Sequence, residues 1–427
     1  MTKFFLLATT ALLAACAISS PVPTTPASTP STTTQPTQPG SGSKPVFNRA
    51  AIAPAFVQAT NAFGFKLLNE LSKANAGQNI FISPASVALA LALANNGANG
   101  ETQKAIAQVL GTPSLNLQEA NIAYANLQGL LHNADPKVKL DIANSVWARK
   151  SIALKPDFVQ RAQQFFNAEA TSLDFANPAS VERINAWVKQ NTQGKIAKIV
   201  EPPIAPETML FLINAIYFKG GWSTPFDKSL TQDRPFNLPS GQQKAVPMMQ
   251  RDGKMDYLRG EGFQAVRLPY ADGAISMAVL LPNAGTNLDQ FRTMLSSETW
   301  ATWQHQFARK TGSLALPKFK LEYGATLNTA LKAMGMSIAF DPKEADFSGL
   351  HATPPNLFIS AVAHKTFVEV NEEGTEAAAA TSVTVGLTML RPTEEPFTLI
   401  VDRPFFVAIQ DNQTGAILFS GLIVAPN

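Results

Sequence analysis

Apolar residues recur at Phe56, Ala59, Phe63, Leu67, Leu68 and Leu71. That spacing of three and four predicts an amphipathic helix as the first ordered element. The stretch NIFISPASVALALALANNGANGETQKAIAQVLG, Asn79 to Gly111, follows. Phe81 and Ile82 read as a short strand, and Ser83-Pro84 as a helix start, with Ser as N-cap and Pro in the first turn. That helix is apolar on almost every side, which predicts burial. Gly97 and Gly100 interrupt it, and a second helix runs to a stop at Gly111. VKLDIANSVWA, Val138 to Ala148, alternates over part of its length and reads as a strand. Val181 to Val200 reads as a helix carrying Trp187 and Val188 inward. MLFLINAIYFKG, Met209 to Gly220, is a nearly continuous apolar run, the pattern of a strand covered on both faces. ISMAVLLP, SLALPKFKLEY, LFISAVAHKTFVEVN and PFTLIVDRPFFVAI add strands. The C-terminal region reads as two strands around a turn at Asp411 to Gly415. Helices dominate early and strands late, so the class is α+β.

Composition fits a large core, with 45% hydrophobic and 15% charged residues over 427 positions. No second linker or repeat divides the chain after Phe47, so 46–427 is expected to be one domain. The formal charge of +3 comes without a long basic run, which argues against nucleic acid as a partner.

The first residues carry a different pattern. MTKFFLLATTALLAAC has one basic residue, Lys3, then an apolar stretch too short for a permanent span. Residues 1–15 read as a signal peptide. Leu13-Ala14-Ala15-Cys16 resembles the lipobox of bacterial lipoproteins, in which Cys16 would be lipidated. Cys16 is also the single cysteine of the chain, so no internal disulfide can form. Residues 19–45 are rich in Pro, Thr and Ser and hold one charge, Lys44. Such a segment cannot bury enough surface to offset its ordering entropy. Together 16–45 form the expected tether, spanning roughly 30 Å as a coil and about 80 Å fully extended. Ala17 after Cys16 resembles the sorting pattern for the outer membrane, placing the protein on the extracellular or periplasmic side of the envelope.

Catalytic signatures are missing from the sequence. It holds no HExxH, CxxC, GxSxG, P-loop or GxGxxG pattern. SxxK occurs at Ser41 to Lys44, inside the tether, where nothing could hold a nucleophile and base in register. The four histidines, His132, His305, His351 and His364, are scattered singly. The expectation is a protein that is not an enzyme and needs no cofactor or metal.

One segment stands apart. EEGTEAAAATSVTVG, Glu372 to Gly386, joins a helix-favouring alanine run to a strand-favouring TSVTV. Long loops inside compact domains are usually functional. As a strand it would place Thr375, Ala377, Ala379, Thr381, Val383 and Val385 on one uncharged face, with Glu376 on the other. A plain exposed helix or a loose loop would leave that alternation unexplained.

EEGTEAAAATSV resembles the hinge of the reactive-centre loop of inhibitory serpins, and the likeness extends over almost all of residues 50–427. NIFISPASVALALA is similar to the family's buried helix, so Ser83 and Ser86 match its shutter serines. Asn185-Ala186-Trp187-Val188 with Thr192-x-Gly194 is similar to the helix across the main sheet. Asn214, Phe218-Lys219-Gly220, Trp222, Pro225 and Phe226 match the shutter strand and breach, and His364 matches the shutter histidine. Leu316-Pro317-Lys318-Phe319, Asp402-Arg403-Pro404-Phe405 and Phe419-x-Gly421 match further signatures. The resemblance implies three β-sheets, eight or nine helices and an exposed reactive-centre loop. It implies a monomeric suicide-substrate inhibitor of serine, and also cysteine, proteases that traps the acyl-enzyme by loop insertion. It places the hinge at Glu372, Glu373, Gly374, Thr375, Glu376, Ala377, Ala378, Ala379, Ala380 and Thr381. The seventeenth residue from Glu372 is Thr388, so the reactive bond is Thr388-Met389. The following segment is longer than is common in the family, which leaves Leu387, Met389 and Leu390 as alternatives. Pro392 after Arg391 disfavours a trypsin-like target and points to elastase-, subtilisin- or chymotrypsin-like proteases. A non-inhibitory serpin acting as chaperone, carrier or decoy is the alternative.

Overall fold

The structure, a computed structural model, describes residues 47–133, 135–351, 357–375 and 395–426. All of them fall within one compact unit, Ser43–Asn427. Nine α-helices occur among the described residues: α1 (Pro54–Ala74), α2 (Pro84–Asn95), α3 (Gly100–Val109), α4 (Leu117–Asn133), α5 (Pro156–Phe166), α6 (Ala179–Asn191), α7 (Leu288–Arg292), α8 (Ser297–Gln304) and α9 (Asn328–Leu331). The expected apolar stripe of α1 is buried at Phe56, Phe63, Leu67, Leu68 and Leu71. Every residue of α2 is buried, and Ser83 caps it by accepting from the Ser86 N–H at 3.3 Å. Gly111 ends the next helical stretch in the left-handed region, φ +72°, where glycine carries no Cβ penalty.

α6 is shorter than its sequence pattern suggested, stopping at Asn191 and not at Val200. Gln193 and Gly194 adopt positive φ and reverse the chain. The stretch beyond is an irregular connection tied back to α6, where the Asn185 Oδ1 accepts from the Ile199 and Val200 N–H groups at 2.9 and 3.1 Å. No helix among the described residues is long and apolar enough to cross a membrane.

The strands are β1 (Ile80–Ile82), β2 (Val138–Arg149), β3 (Glu169–Leu173), β4 (Leu210–Gly221), β5 (Gln232–Asn237), β6 (Gln243–Gly260), β7 (Phe263–Pro269), β8 (Ile275–Pro282), β9 (Ala308–Pro317), β10 (Phe319–Thr326), β11 (Ala361–Asn371), β12 (Gly374–Thr375), β13 (Phe397–Ile400), β14 (Phe405–Asp411) and β15 (Ile417–Ile423). A nine-stranded sheet runs β1-β15-β14-β8-β7-β6-β9-β13, with β5 also on β6. A six-stranded sheet runs β10-β11-β12-β4-β2-β3, and β11 also pairs directly with β4. The 18-residue β6 carries β5 on its first residues and β7 on its last. The described strands thus join into two hydrogen-bonded sheets, where the resemblance implied three; β6 runs unbroken through the larger one.

Two sequence runs divide. SLALPKFKLEY breaks between Pro317 and Phe319, so β9 lies in the large sheet and β10 in the small one. PFTLIVDRPFFVAI is not one strand but β13 and β14, separated at 401–404. Pro404 has no N–H to give to a ladder. β13 runs parallel to β9, whereas β14 is antiparallel to β8 and β15. α2 contacts β15 of one sheet and β2 and β4 of the other, so its neighbours on opposite sides explain why it is apolar all round.

Candidate functional site

The centre of the six-stranded sheet carries a seam. β4 and β11 pair in parallel from Phe211↔Ala361 to Tyr217↔Phe367. In the middle of that seam a polar row crosses three strands in direct register: Asn144 on β2, Asn214 on β4 and His364 on β11. All three are buried. The His364 Nε2 accepts from the backbone N–H of Ser83 at 3.2 Å. The ring proton therefore sits on Nδ1 and is donated to the Asn214 Oδ1 at 2.6 Å. Burial pushes His364 down to about 3, against the opposing effect of its bond to Asn214, so the ring is neutral in ordinary buffers.

The Asn214 Nδ2 donates to the Asn144 Oδ1 at 2.6 Å, to the Ser86 carbonyl at 3.1 Å and to the Ser86 hydroxyl. The Ser83 hydroxyl in turn donates to the Leu418 carbonyl at 2.6 Å, reaching the other sheet. The sequence-assigned group Ser83, Ser86, Asn214 and His364 is thus one connected network at the N-terminus of α2. Asn144 belongs to it as well, and Thr366, two residues along β11 from His364, donates its hydroxyl to the Phe81 carbonyl at 2.6 Å. Sequence reading missed both. Neither stood out, because β2 also carries Lys139, Asp141 and Ser145, and β11 also carries Lys365 and Glu369.

Beyond Phe367 and Tyr217 the seam opens and holds β12. Thr375 pairs antiparallel with Val370 on β11 and with Gly220 on β4, and Gly374 with Asn371 and Gly221. Thr375 is fully buried, and its hydroxyl meets the Tyr270 hydroxyl at 2.8 Å. Gly374 has φ +148°, and a Cβ there would lie 2.2 Å from the Gly220 carbonyl oxygen. Only glycine fits.

Trp222 covers this entry. It stacks on Tyr270 with centroids 4.4 Å apart, donates its indole N–H to the Asn371 carbonyl at 2.9 Å and its backbone N–H to the Glu373 carbonyl at 2.9 Å. Glu372 is buried and pairs with the Lys318 Nζ at 2.9 Å, while the Thr231 hydroxyl donates to it at 2.8 Å. Burial pushes its carboxyl up, but the bonds from Lys318, its own backbone and Thr231 outweigh this and hold it below the usual range. Glu373 pairs with Lys228. Beside the entry lies a cleft of about 460 Å³ lined by residues that include Lys318, Lys320, Glu369, Asn371, Glu372 and Glu373.

Glu376 to Thr381, the bond Thr388-Met389 with its alternatives Leu387 and Leu390, and Cys16 lie outside the described residues. Among the described residues, no three His, Cys, Asp or Glu side chains gather in a metal-holding group. The geometry that is present suits reception of a strand: a seam of two parallel strands, closed by a polar row and already wedged at one end.

The serpin (serine protease inhibitor) family model matches residues 58–426. The leukocyte elastase inhibitor of Xenopus tropicalis is 36% identical over 377 residues, covering 86% of this chain and 98% of the relative. Among solved structures, the thermophilic serpin tengpin in its native state aligns with a TM-score of 0.80 at 31% identity, covering 90% of this chain and 96% of that one. Thyroxine-binding globulin in complex with thyroxine aligns with a TM-score of 0.78 at 28% identity, covering 87% and 99%.

Proposed function

The chain belongs to the serpin family, and we propose that it is an inhibitory member that traps proteases by inserting its cleaved loop between β4 and β11. The observation that carries this reading is β12. The hinge residues Gly374 and Thr375 already occupy the upper end of the seam, hydrogen-bonded to both neighbouring strands. Reactive-loop insertion into a sheet is an established mode of strand addition in serpins. Continuing β12 down the seam by about a dozen ladder bonds, at about 1 kcal/mol each, supplies on the order of 10 kcal/mol. That rivals the stability of a whole domain, so the uncleaved form is held kinetically.

In the proposed cycle, the target's nucleophile attacks the carbonyl of Thr388 or a neighbour. The new amine at Met389 leaves, and the acyl-enzyme is carried with the loop before water resolves it. The leukocyte elastase inhibitor among the relatives supports a target of elastase-like specificity; subtilisin- and chymotrypsin-like enzymes share the preference for an apolar or small residue at the bond. The protein acts as a monomer, needs no cofactor, and is held at the bacterial envelope by lipidated Cys16 through the 16–45 tether.

The test is to mix the soluble domain with elastase, subtilisin, chymotrypsin and trypsin and to run denaturing gels. A covalent complex with a released C-terminal peptide is expected, and the N-terminus of that peptide gives the bond. Cleavage with neither complex nor gain in heat stability would overturn the inhibitory reading and leave a carrier or decoy, a role for which thyroxine-binding globulin is the neighbour at hand. For the anchor, radiolabelled palmitate is expected to enter the wild-type chain and not Cys16→Ser. Equal labelling of both would remove the lipid assignment.

A further inference from the structure

The chain reverses between β11 and β12 through two residues, Glu372 and Glu373, with Asn371 paired to Gly374 across the turn. Two-residue hairpin loops ordinarily draw on positive φ within the loop, supplied by glycine or asparagine. Neither glutamate has it; the positive φ belongs to Gly374. The turn is therefore not selected by its own loop residues and has to be held from outside.

Several groups hold it, and they divide by what they touch. Trp222 and Phe226 donate to the carbonyls of Glu373 and Glu372 at 2.9 and 2.8 Å. Lys318, Thr231 and Lys228 bind the two carboxylates. The N–H groups inside the turn are met by Asn371, whose Oδ1 accepts from Glu373 at 3.0 Å and from Gly374 at 3.2 Å. A short polar side chain bonding backbone N–H groups two and three residues onward is the side-chain mimic of a turn.

We infer that Asn371 is a positioning residue that fixes this turn and, with it, the register in which the loop enters the seam. The inference rests on the inhibitory reading above for its consequence, though not for its geometry. Register matters because side chains alternate along a strand, and a slip of one residue exchanges the two faces. Thr375 points into the core at full burial. In a loop inserted in the same register, Ala377, Ala379 and Thr381 would follow it inward. One residue out of register, Glu376 would take the inward place, and an unpaired carboxylate there is strongly disfavoured. A hinge that enters wrongly stalls, and the acyl bond is hydrolysed before the protease is trapped.

The experiment compares wild type, Asn371→Ala and Asn371→Asp. Asp keeps the accepting oxygen and Ala removes it. Stoichiometry and association rate are measured against elastase, subtilisin and chymotrypsin, and backbone amide exchange is followed across Glu372 to Thr375. In Asn371→Ala the stoichiometry is expected to rise about fivefold, as cleaved protein replaces complex, while the association rate stays within twofold of wild type. Exchange at Glu373 and Gly374 should quicken. Asn371→Asp should behave as wild type in every measurement. Trapping by the Ala variant as efficient as wild type, or failure of Asp alongside Ala, overturns the inference. If wild type itself traps none of these proteases, the inhibitory reading fails, and amide exchange alone then decides the role of Asn371. Protection lost in Ala and kept in Asp upholds it, and unchanged protection in Ala ends it.

Discussion

Thr375 shows how much one hinge position has to satisfy. It must be small enough to vanish between two strands, and polar enough to answer the buried Tyr270 hydroxyl at 2.8 Å. Thr375→Arg is expected to leave loop cleavage intact and to abolish trapping, because an arginine cannot be desolvated in the sheet centre without a partner. Denaturing gels read this directly, and persistence of the complex would refute the inward assignment of this face. His364 makes a second prediction at this scale. Its folded value of about 3 lies below its ordinary 6.5, so between these values the unfolded chain binds the extra proton. Stability from this group is complete above about pH 6.5 and is lost progressively as pH falls toward 3. The melting temperature should therefore decline on acidification below pH 6.5, and His364→Gln should flatten that decline. An equal slope in the variant would place the acid sensitivity elsewhere. At residue scale the shutter side chains were legible from motif, whereas Asn144, Tyr270 and Asn371 were not. Asn144 and Tyr270 matter through neighbours far away in the chain, such as Thr375, which lies 105 positions from Tyr270, whereas Asn371 acts two and three residues onward in a turn whose loop residues carry no turn signature.

Elements divide along the same line between local and distant causes. α1 could be read from its apolar spacing, and α2 from its Ser83 cap, Pro84 and all-round apolar character. The end of α6 could not, because Gln193 takes a left-handed conformation that its residue type does not announce. The break between β13 and β14 was marked by Asp402-Arg403-Pro404, but nothing in the run showed that its halves take different partners, β13 on β9 and β14 on β8 and β15. The connection after α6 also bears on the seam. The Lys365 Nζ, on β11, donates to the Lys198 carbonyl at 2.7 Å and pairs with Glu322 at 2.6 Å. Lys365→Met should release that connection, lowering the melting temperature by about 2 °C and shortening the insertion step seen in stopped-flow fluorescence. Unchanged insertion kinetics would show that the connection does not restrain the strands beneath it.

For the whole molecule, the class and the order of elements followed from periodicity, while the topology did not. Nothing local tells β4 to run parallel to β11 at 150 positions' remove, and that pairing is what makes a seam. Cleavage between 376 and 394 is expected to raise the melting temperature, as scanning calorimetry would register, because the freed loop completes the ladder that β12 begins. An unaltered transition would mean the sheet has no room for it. The register of β12 then has a consequence for the polar row. Counting from Thr375↔Gly220 and Thr375↔Val370, the residue that would arrive between Asn214 and His364 is Thr381. A hydroxyl gives one proton and takes another, so it can accept from the imidazole and donate to the amide that now face each other. The two old partners would be separated without either being orphaned. Closure of the seam is thus a matter of how fast one bond is exchanged for two, like a coupling that can be uncoupled only by the piece made to replace it.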